Sequence, residues 1–137
     1  MIRLSDFIGD WQLQRRIHDD AYGQHGSLAG TARFHANGAV VDYHEQGRLT
    51  LAGGMTMQAE RSYIWQPDPQ GVTVKFADGA PFHRFDLGGK VKGTQHLCGA
   101  DLYNVTYNFE SWPAWSATWV VAGPRKNYTS VSHYKPV

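Results

Sequence analysis

Residues 95–110 read QHLCGADLYNVTYNFE, and the second half of this stretch decides the fold. Asp101, Tyr103, Val105, Tyr107 and Phe109 alternate with Leu102, Asn104, Thr106, Asn108 and Glu110. A period of two puts the first set on one face of an extended strand. The first half crowds His96, Cys98 and Asp101 together. These three are either a reactive centre carried on a strand or polar residues facing a wet cavity.

Working outward, the same alternation recurs along the chain. Residues 10–18 set Trp11, Leu13, Arg15 and Ile17 on one face. Turn chemistry follows in DDAYGQHG (19–26), and Leu28, Gly30, Ala32 and Phe34 then share a face up to Asn37-Gly38, a dipeptide suited to a tight hairpin. Val41, Tyr43 and Glu45 alternate with Asp42 and His44; after AGG at 52–54, Met55, Met57, Ala59, Arg61, Tyr63 and Trp65 fall on one face. PDPQG at 67–71 is a loop. Further strands are expected near 72–77, 81–87, 93–98, 101–110, 114–122 and 127–135. The only helical signal is one turn at the start, with Ser5 as cap, Phe7 and Ile8 as its apolar side and Gly9 as its stop. About nine or ten short, sequentially connected strands predict an all-β, single-domain (1–137), antiparallel up-and-down barrel. Closure removes exposed edges, and barrels of eight or more strands can enclose a small ligand.

Composition agrees with a folded core. The apolar fraction is 42% and the aromatic fraction 13%, and a net charge of +1 gives no electrostatic footprint for nucleic acid or an anionic membrane. The lone Cys98 excludes an internal disulfide and suits a reducing compartment. The opening MIRLSDFIGDW has no apolar signal core, and no run approaches the roughly 18 apolar residues of a membrane span. A cytoplasmic protein without nucleic-acid or membrane partners is therefore expected, with a homodimer left open.

The entry FIGDWQLQR, with Gly9-x-Trp11 heading the first strand after a helical turn, resembles the calycin superfamily of lipocalins, fatty-acid-binding proteins and their haem-binding relatives. The resemblance implies that Trp11 plugs one barrel end against a basic residue of a late strand, for which Arg125 in AGPRKNY is the candidate. The layout GDWQLQRRI, DYHEQGRL, RSYIWQ, FADGAPFHRF, HLCGADLY and GPRKNY is also similar to a small calycin-like bacterial family of unknown function, which implies a fold and no activity. Haem-binding calycins use a late-strand histidine, so the resemblance singles out His133, although alternation puts it opposite Tyr134.

If Trp11 points inward, so do Leu13, Arg15 and Ile17. The apolar faces of the other strands add Phe34, Val41, Tyr43, Glu45, Met57, Arg61, Tyr63, Trp65, Tyr103, Tyr107, Trp115 and Trp119. Arg15, Glu45, Arg61 and Asp101 stand out there, because an inward charge needs a partner, water or a ligand. They read as structural pairs, Arg15–Asp101 and Glu45–Arg61, or as groups aimed at a carboxylate or phosphate. In PFHRFDL either His83 or Arg84 faces in, not both.

His96, Cys98 and Asp101 support three readings. A mixed metal site would draw on N, S and O ligands, but no second pair has a familiar spacing. A nucleophilic Cys98 would need His96 or an arginine beside it and Asp101 behind. A structural cysteine and histidine on a cavity-facing strand need nothing further. The leading function is non-covalent binding of a partly apolar molecule with an anionic or polar group. Arg15, Tyr43, Glu45, Arg61, Arg84, His96, Asp101 and Tyr103 would face its head group, and Trp65, Trp115 and Trp119 its apolar body. No metal or cofactor is expected in that reading. The alternatives are an enzyme using His96 or His83 with Tyr43 or Tyr103, a haem protein through His133, and a partner-binding structural domain. GPRKNY (123–128) reads as a solvated turn or as a basic lip guiding an anion.

Overall fold

Eleven strands in chain order build the molecule, here a computed structural model describing residues 1–20 and 23–137. They are β1 (Gly9–Asp19), β2 (Gln24–Asn37), β3 (Val40–Thr50), β4 (Thr56–Pro67), β5 (Gly71–Phe76), β6 (Pro81–Asp86), β7 (Lys90–Lys92), β8 (His96–Cys98), β9 (Asp101–Asn108), β10 (Trp115–Ala122) and β11 (Tyr128–Pro136). The turn expected at 19–26 falls partly on residues 21 and 22, outside the described residues. The strand expected near 93–98 is instead two short pieces, β7 and β8, both paired with β9.

All pairings are antiparallel between neighbours, and β1 pairs with β11, so the sheet curls into a nearly closed up-and-down barrel. The seam lies between β6 and the link from β7 to β8. Two bonds bridge it: Thr94 N–H donates to the Arg84 carbonyl at 2.8 Å, and Arg84 N–H donates to the Thr94 hydroxyl at 2.9 Å. Tight coiling elsewhere depends on the facing pair Gly30 and Gly47 of β2 and β3. A Cβ on Gly30 would collide with the Gln46 carbonyl, and one on Gly47 would lie 2.6 Å from the Ala29 oxygen. Only glycine lets the two backbones approach so closely.

One end is filled. The 3-10 turn Leu4–Phe7 lays Phe7 across it, fully buried among the rings of Trp11, Phe34, Trp65, Phe109, Trp112 and Trp115 at 4.8–6.1 Å. Burying such a side chain stabilises the fold by about 1.5–3 kcal/mol. Asp6 rather than Ser5 organises the turn, its carboxylate accepting the Arg3 N–H at 2.8 Å. The Trp11 indole donates to the Phe7 carbonyl at 2.8 Å, fixing the turn to the strand it precedes.

Trp11 thus sits at the closed end, as the calycin resemblance implies, but Arg125 does not accompany it. Trp11 pairs with Pro136, whereas Asp19, at the other end of β1, pairs with Tyr128, so the loop carrying Arg125 lies at the open end. Met57 has the expected parity but is exposed, because β3 and β4 extend past the rim. No helix among the described residues is long and apolar enough to cross a membrane.

Candidate functional site

Above the aromatic plug the barrel opens into a cavity of about 550 Å³. Its inner level is polar. Arg15 on β1 donates two N–H···O bonds of 2.7 and 2.9 Å to the carboxylate of Glu45 on β3, both residues being buried, and Arg15 Nε–H donates to Ser132 of β11. The Tyr43 hydroxyl donates to Glu45 Oε1 at 2.7 Å and therefore accepts from the Tyr134 hydroxyl 2.8 Å away. Burial opposes the Glu45 charge, but hydrogen bonding to Arg15 and the charges of Arg15 and Arg61 outweigh it, so its pKa falls below the ordinary value. Burial likewise opposes the Arg15 charge, and Glu45 more than offsets it, so Arg15 stays cationic. Burial pushes the Tyr43 and Tyr134 hydroxyls up, so both remain neutral donors.

The outer level carries the second cation. Arg61 on β4 lies 3.6 Å from the same Glu45 carboxylate, with half its side chain in solvent, and its Nη1 is 3.4 Å from the Tyr63 hydroxyl. Across the mouth, Lys126 Nζ donates to the Tyr103 hydroxyl at 3.0 Å, and that bond raises the ammonium pKa. Tyr128 stands in the field of both cations: burial and Tyr103 raise its hydroxyl pKa, and Lys126 and Arg61 act against that rise. The wall contains Arg15, Arg61 and Lys126 against Glu45 and Asp19, an excess of one positive charge.

The aromatic side of the cavity comes from β5, β6, β9 and β10. Val74 pairs with His83 but Lys75 with Pro81, so a bulge leaves Phe82 unpaired. The bulge lets Phe82 and His83 both face the cavity, which a strict period of two forbids. Phe82 stacks on Phe76 at 4.5 Å and on Trp119 at 5.0 Å. His83 is buried with Nε2 2.8 Å from the Tyr107 hydroxyl, and burial lowers its pKa to about 3. It is a neutral imidazole at physiological pH and a poor acid or base there.

Eight of the eleven residues expected to face a ligand line this cavity together with the Arg15–Glu45 pair or its aromatic wall: Arg15, Tyr43, Glu45, Arg61, Trp65, Tyr103, Trp115 and Trp119. His96 joins them at the wall, ringed by Phe76, Phe82 and Tyr103. Two do not. Arg84 turns outward, bound to Asp68 at 2.8 and 2.9 Å and to Asp86 at 2.9 Å, because it alternates with His83 and Phe85, which take the buried face. Asp101 is buried but faces the β10–β11 loop, accepting the backbone N–H groups of Arg125 at 3.0 Å and Lys126 at 3.3 Å. The pair Arg15–Asp101 therefore does not form, and Arg15 is held by Glu45. The cluster of His96, Cys98 and Asp101 does not converge either, since Cys98 is exposed on the rim. His133 is exposed on the outer face, with no route to the interior for a haem ligand.

The sequence model of a family of unknown function, DUF6314, matches residues 7–136. The chain belongs to that family. No curated protein matches it in sequence. Among solved structures it is similar to the S-type phycobiliprotein lyase CPES from Guillardia theta, with a TM-score of 0.71 and 9% identity over 99% of this chain and 93% of the lyase. A protein of unknown function from the DUF3598 family of Nostoc punctiforme gives a TM-score of 0.60 at 9% identity, covering 98% of this chain but 48% of that one. Rv2717c from M. tuberculosis gives 0.51 at 12% identity over 96% and 94% of the two chains. At these identities the likeness is one of fold.

Sequence reasoning left the face of β11 formed by Tyr128, Ser130, Ser132 and Tyr134 out of the inward set, along with Phe76 and Phe82. On β11 both faces mix polar and apolar side chains, Tyr128, Ser130, Ser132 and Tyr134 against Thr129, Val131, His133 and Lys135, so apolarity selects neither. The usable signal was pairing with β1, where Arg15 stands opposite Ser132.

Proposed function

We propose that this protein binds a small, partly apolar molecule whose anionic group sits at the barrel mouth between Arg61 and Lys126. One observation carries the reading: Glu45 is shared by two arginines, so the wall keeps a positive charge that its own carboxylates do not balance. Arg15 is committed to Glu45 and Ser132 and acts as scaffold. Arg61, half in solvent, keeps donors for a carboxylate, sulfonate or phosphate. The stacked Phe76, Phe82 and Trp119 supply the apolar wall. A calycin-like carrier fits the Gly9-x-Trp11 entry, the plugged end and the meander. The neighbour named as a phycobiliprotein lyase lends support at the level of a barrel put to use on another molecule.

The test is fluorescence titration with anilinonaphthalene sulfonate, an aromatic anion. Arg61→Met and Lys126→Met should each weaken binding about five- to tenfold without changing the fold. Unchanged affinity in both variants would overturn the reading.

A further inference from the structure

The apolar part of the cavity wall is aromatic rather than aliphatic. Phenylalanine, tyrosine and tryptophan supply eleven of the lining side chains, against Ile17, Val74 and Ala117 as the aliphatic ones among the described residues. Val74 and Ala117 are buried, so only Ile17 of the three keeps substantial open surface. Five of the rings form one patch with Phe82 as its hub. Around it stand the rings of Phe76 at 4.5 Å, Trp119 at 5.0 Å, Tyr63 at 5.6 Å and Tyr103 at 6.5 Å. All five are half-buried, unlike Phe7 and Trp11 in the plug, so they keep ring surface open to the cavity they line. Phe82 holds this place because the bulge takes it out of the ladder and turns it inward. The patch is also continuous with the cationic mouth: the Tyr63 hydroxyl accepts from Arg61 at 3.4 Å and that of Tyr103 from Lys126 at 3.0 Å.

We infer that the apolar body of the ligand is a flat, conjugated ring system lying against the patch around Phe82. The molecule is then an aromatic anion rather than an acyl-chain or alicyclic one. This rests on the carrier reading above and narrows it to one chemical class. Burial of apolar area does not distinguish the classes, since it rewards a saturated body as readily as an aromatic one. Ring quadrupoles do distinguish them: aromatic pairs in offset or edge-to-face contact gain free energy beyond their buried area, and a saturated ring has no such term. A wall with five open rings in contact concentrates that term at one place.

The experiment uses naphthoate and decahydronaphthoate, two carboxylates with the same carbon skeleton. The saturated probe has the larger apolar surface, so area alone would favour it. The reverse is expected in calorimetric titration of the protein, with naphthoate binding at least about fivefold more tightly. Phe82→Leu should reduce that preference to less than about twofold while decahydronaphthoate still binds. Should the variant fail to fold, nuclear Overhauser contacts in the unaltered protein decide: cross-peaks are expected between naphthoate and the ring protons of Phe76, Phe82 or Trp119. Equal affinity, a reversed order, a preference undiminished in Phe82→Leu, or bound naphthoate without those cross-peaks overturns the inference and leaves the carrier reading standing. Failure of both probes to bind overturns the carrier reading with it.

Discussion

Arg15 on β1 and Glu45 on β3 are not on adjacent strands, yet their side chains close a two-bond fork across the inner face of β2. Arg15 stands level with Leu28 and Glu45 level with Ala32, so the bridge spans the place of Gly30 between them. The same glycine lets β2 and β3 approach. Barrel curvature and the polar floor of the cavity thus share one local cause.

Buried charge pairs are strongly destabilising when halved. Arg15→Met should cost about 3–5 kcal/mol in urea unfolding, because Glu45 is left buried with only the more distant Arg61. Removing both charges together, in Arg15→Met with Glu45→Met, should recover most of that loss. Arg61→Met, half exposed, should cost less than about 1 kcal/mol. Equal losses for Arg15→Met and Arg61→Met would contradict the division into scaffold and ligand-facing arginine.

Acid sensitivity should begin with His83. Its pKa falls from the ordinary 6.5 to about 3 on folding, so the unfolded chain takes up a proton that the folded chain refuses. Its contribution is fully present above 6.5 and is lost as pH falls through the window down to about 3. The slope is about 1.4 kcal/mol per pH unit. Glu45, held below its ordinary 4.5, adds to the loss in the acid part of that window. Stability measured against pH for the unaltered protein and for His83→Phe should give a difference curve with that slope; a flat difference would refute the buried neutral imidazole.

The Gly30–Gly47 contact predicts a sharp steric effect. Gly30→Ala places a methyl group against the Gln46 carbonyl and should lower stability by about 3 kcal/mol in thermal or urea unfolding. Gly79→Ala tests the contrast: its Cβ meets nothing within 4 Å, so any loss there comes only from its φ of +92°.

Asp101 was legible as an inward charge and turns out to be a loop anchor. Asp101→Ala frees the N–H groups of Arg125 and Lys126 and should cost about 1.5–3 kcal/mol. It should also weaken anionic probe binding by releasing Lys126 from the mouth. Intact probe binding alongside lowered stability would separate Lys126 from the anion site.

Alternation exposes the parity of a residue, and parity alone identified Arg15, Tyr43, Glu45, Arg61, Tyr103, Trp115 and Trp119 as facing inward. It says nothing of height along the barrel or of which residues meet across it. That is why Arg15 was matched with Asp101 rather than Glu45, and why Met57 seemed internal although it lies beyond the rim. Alternation with Phe85 puts His83 inward and Arg84 outward, but PFHRFDL does not show which parity is the inner one, and the bulge at Val74/Lys75 that also brings Phe82 inward leaves no mark in it. The Ser130–Ser132 face of β11 stayed hidden because neither face of that strand is distinctly apolar, and Ser132 is placed inward by its bond from Arg15.

The most direct test of the central claim is an amide and indole NMR titration with anilinonaphthalene sulfonate. The account predicts that the indole N–H signals of Trp115 and Trp119 and the backbone signals of Arg61 and Lys126 move together along one binding curve. Saturable shifts confined to outward-facing residues such as His133 and Arg84, with those four unmoved, would contradict it.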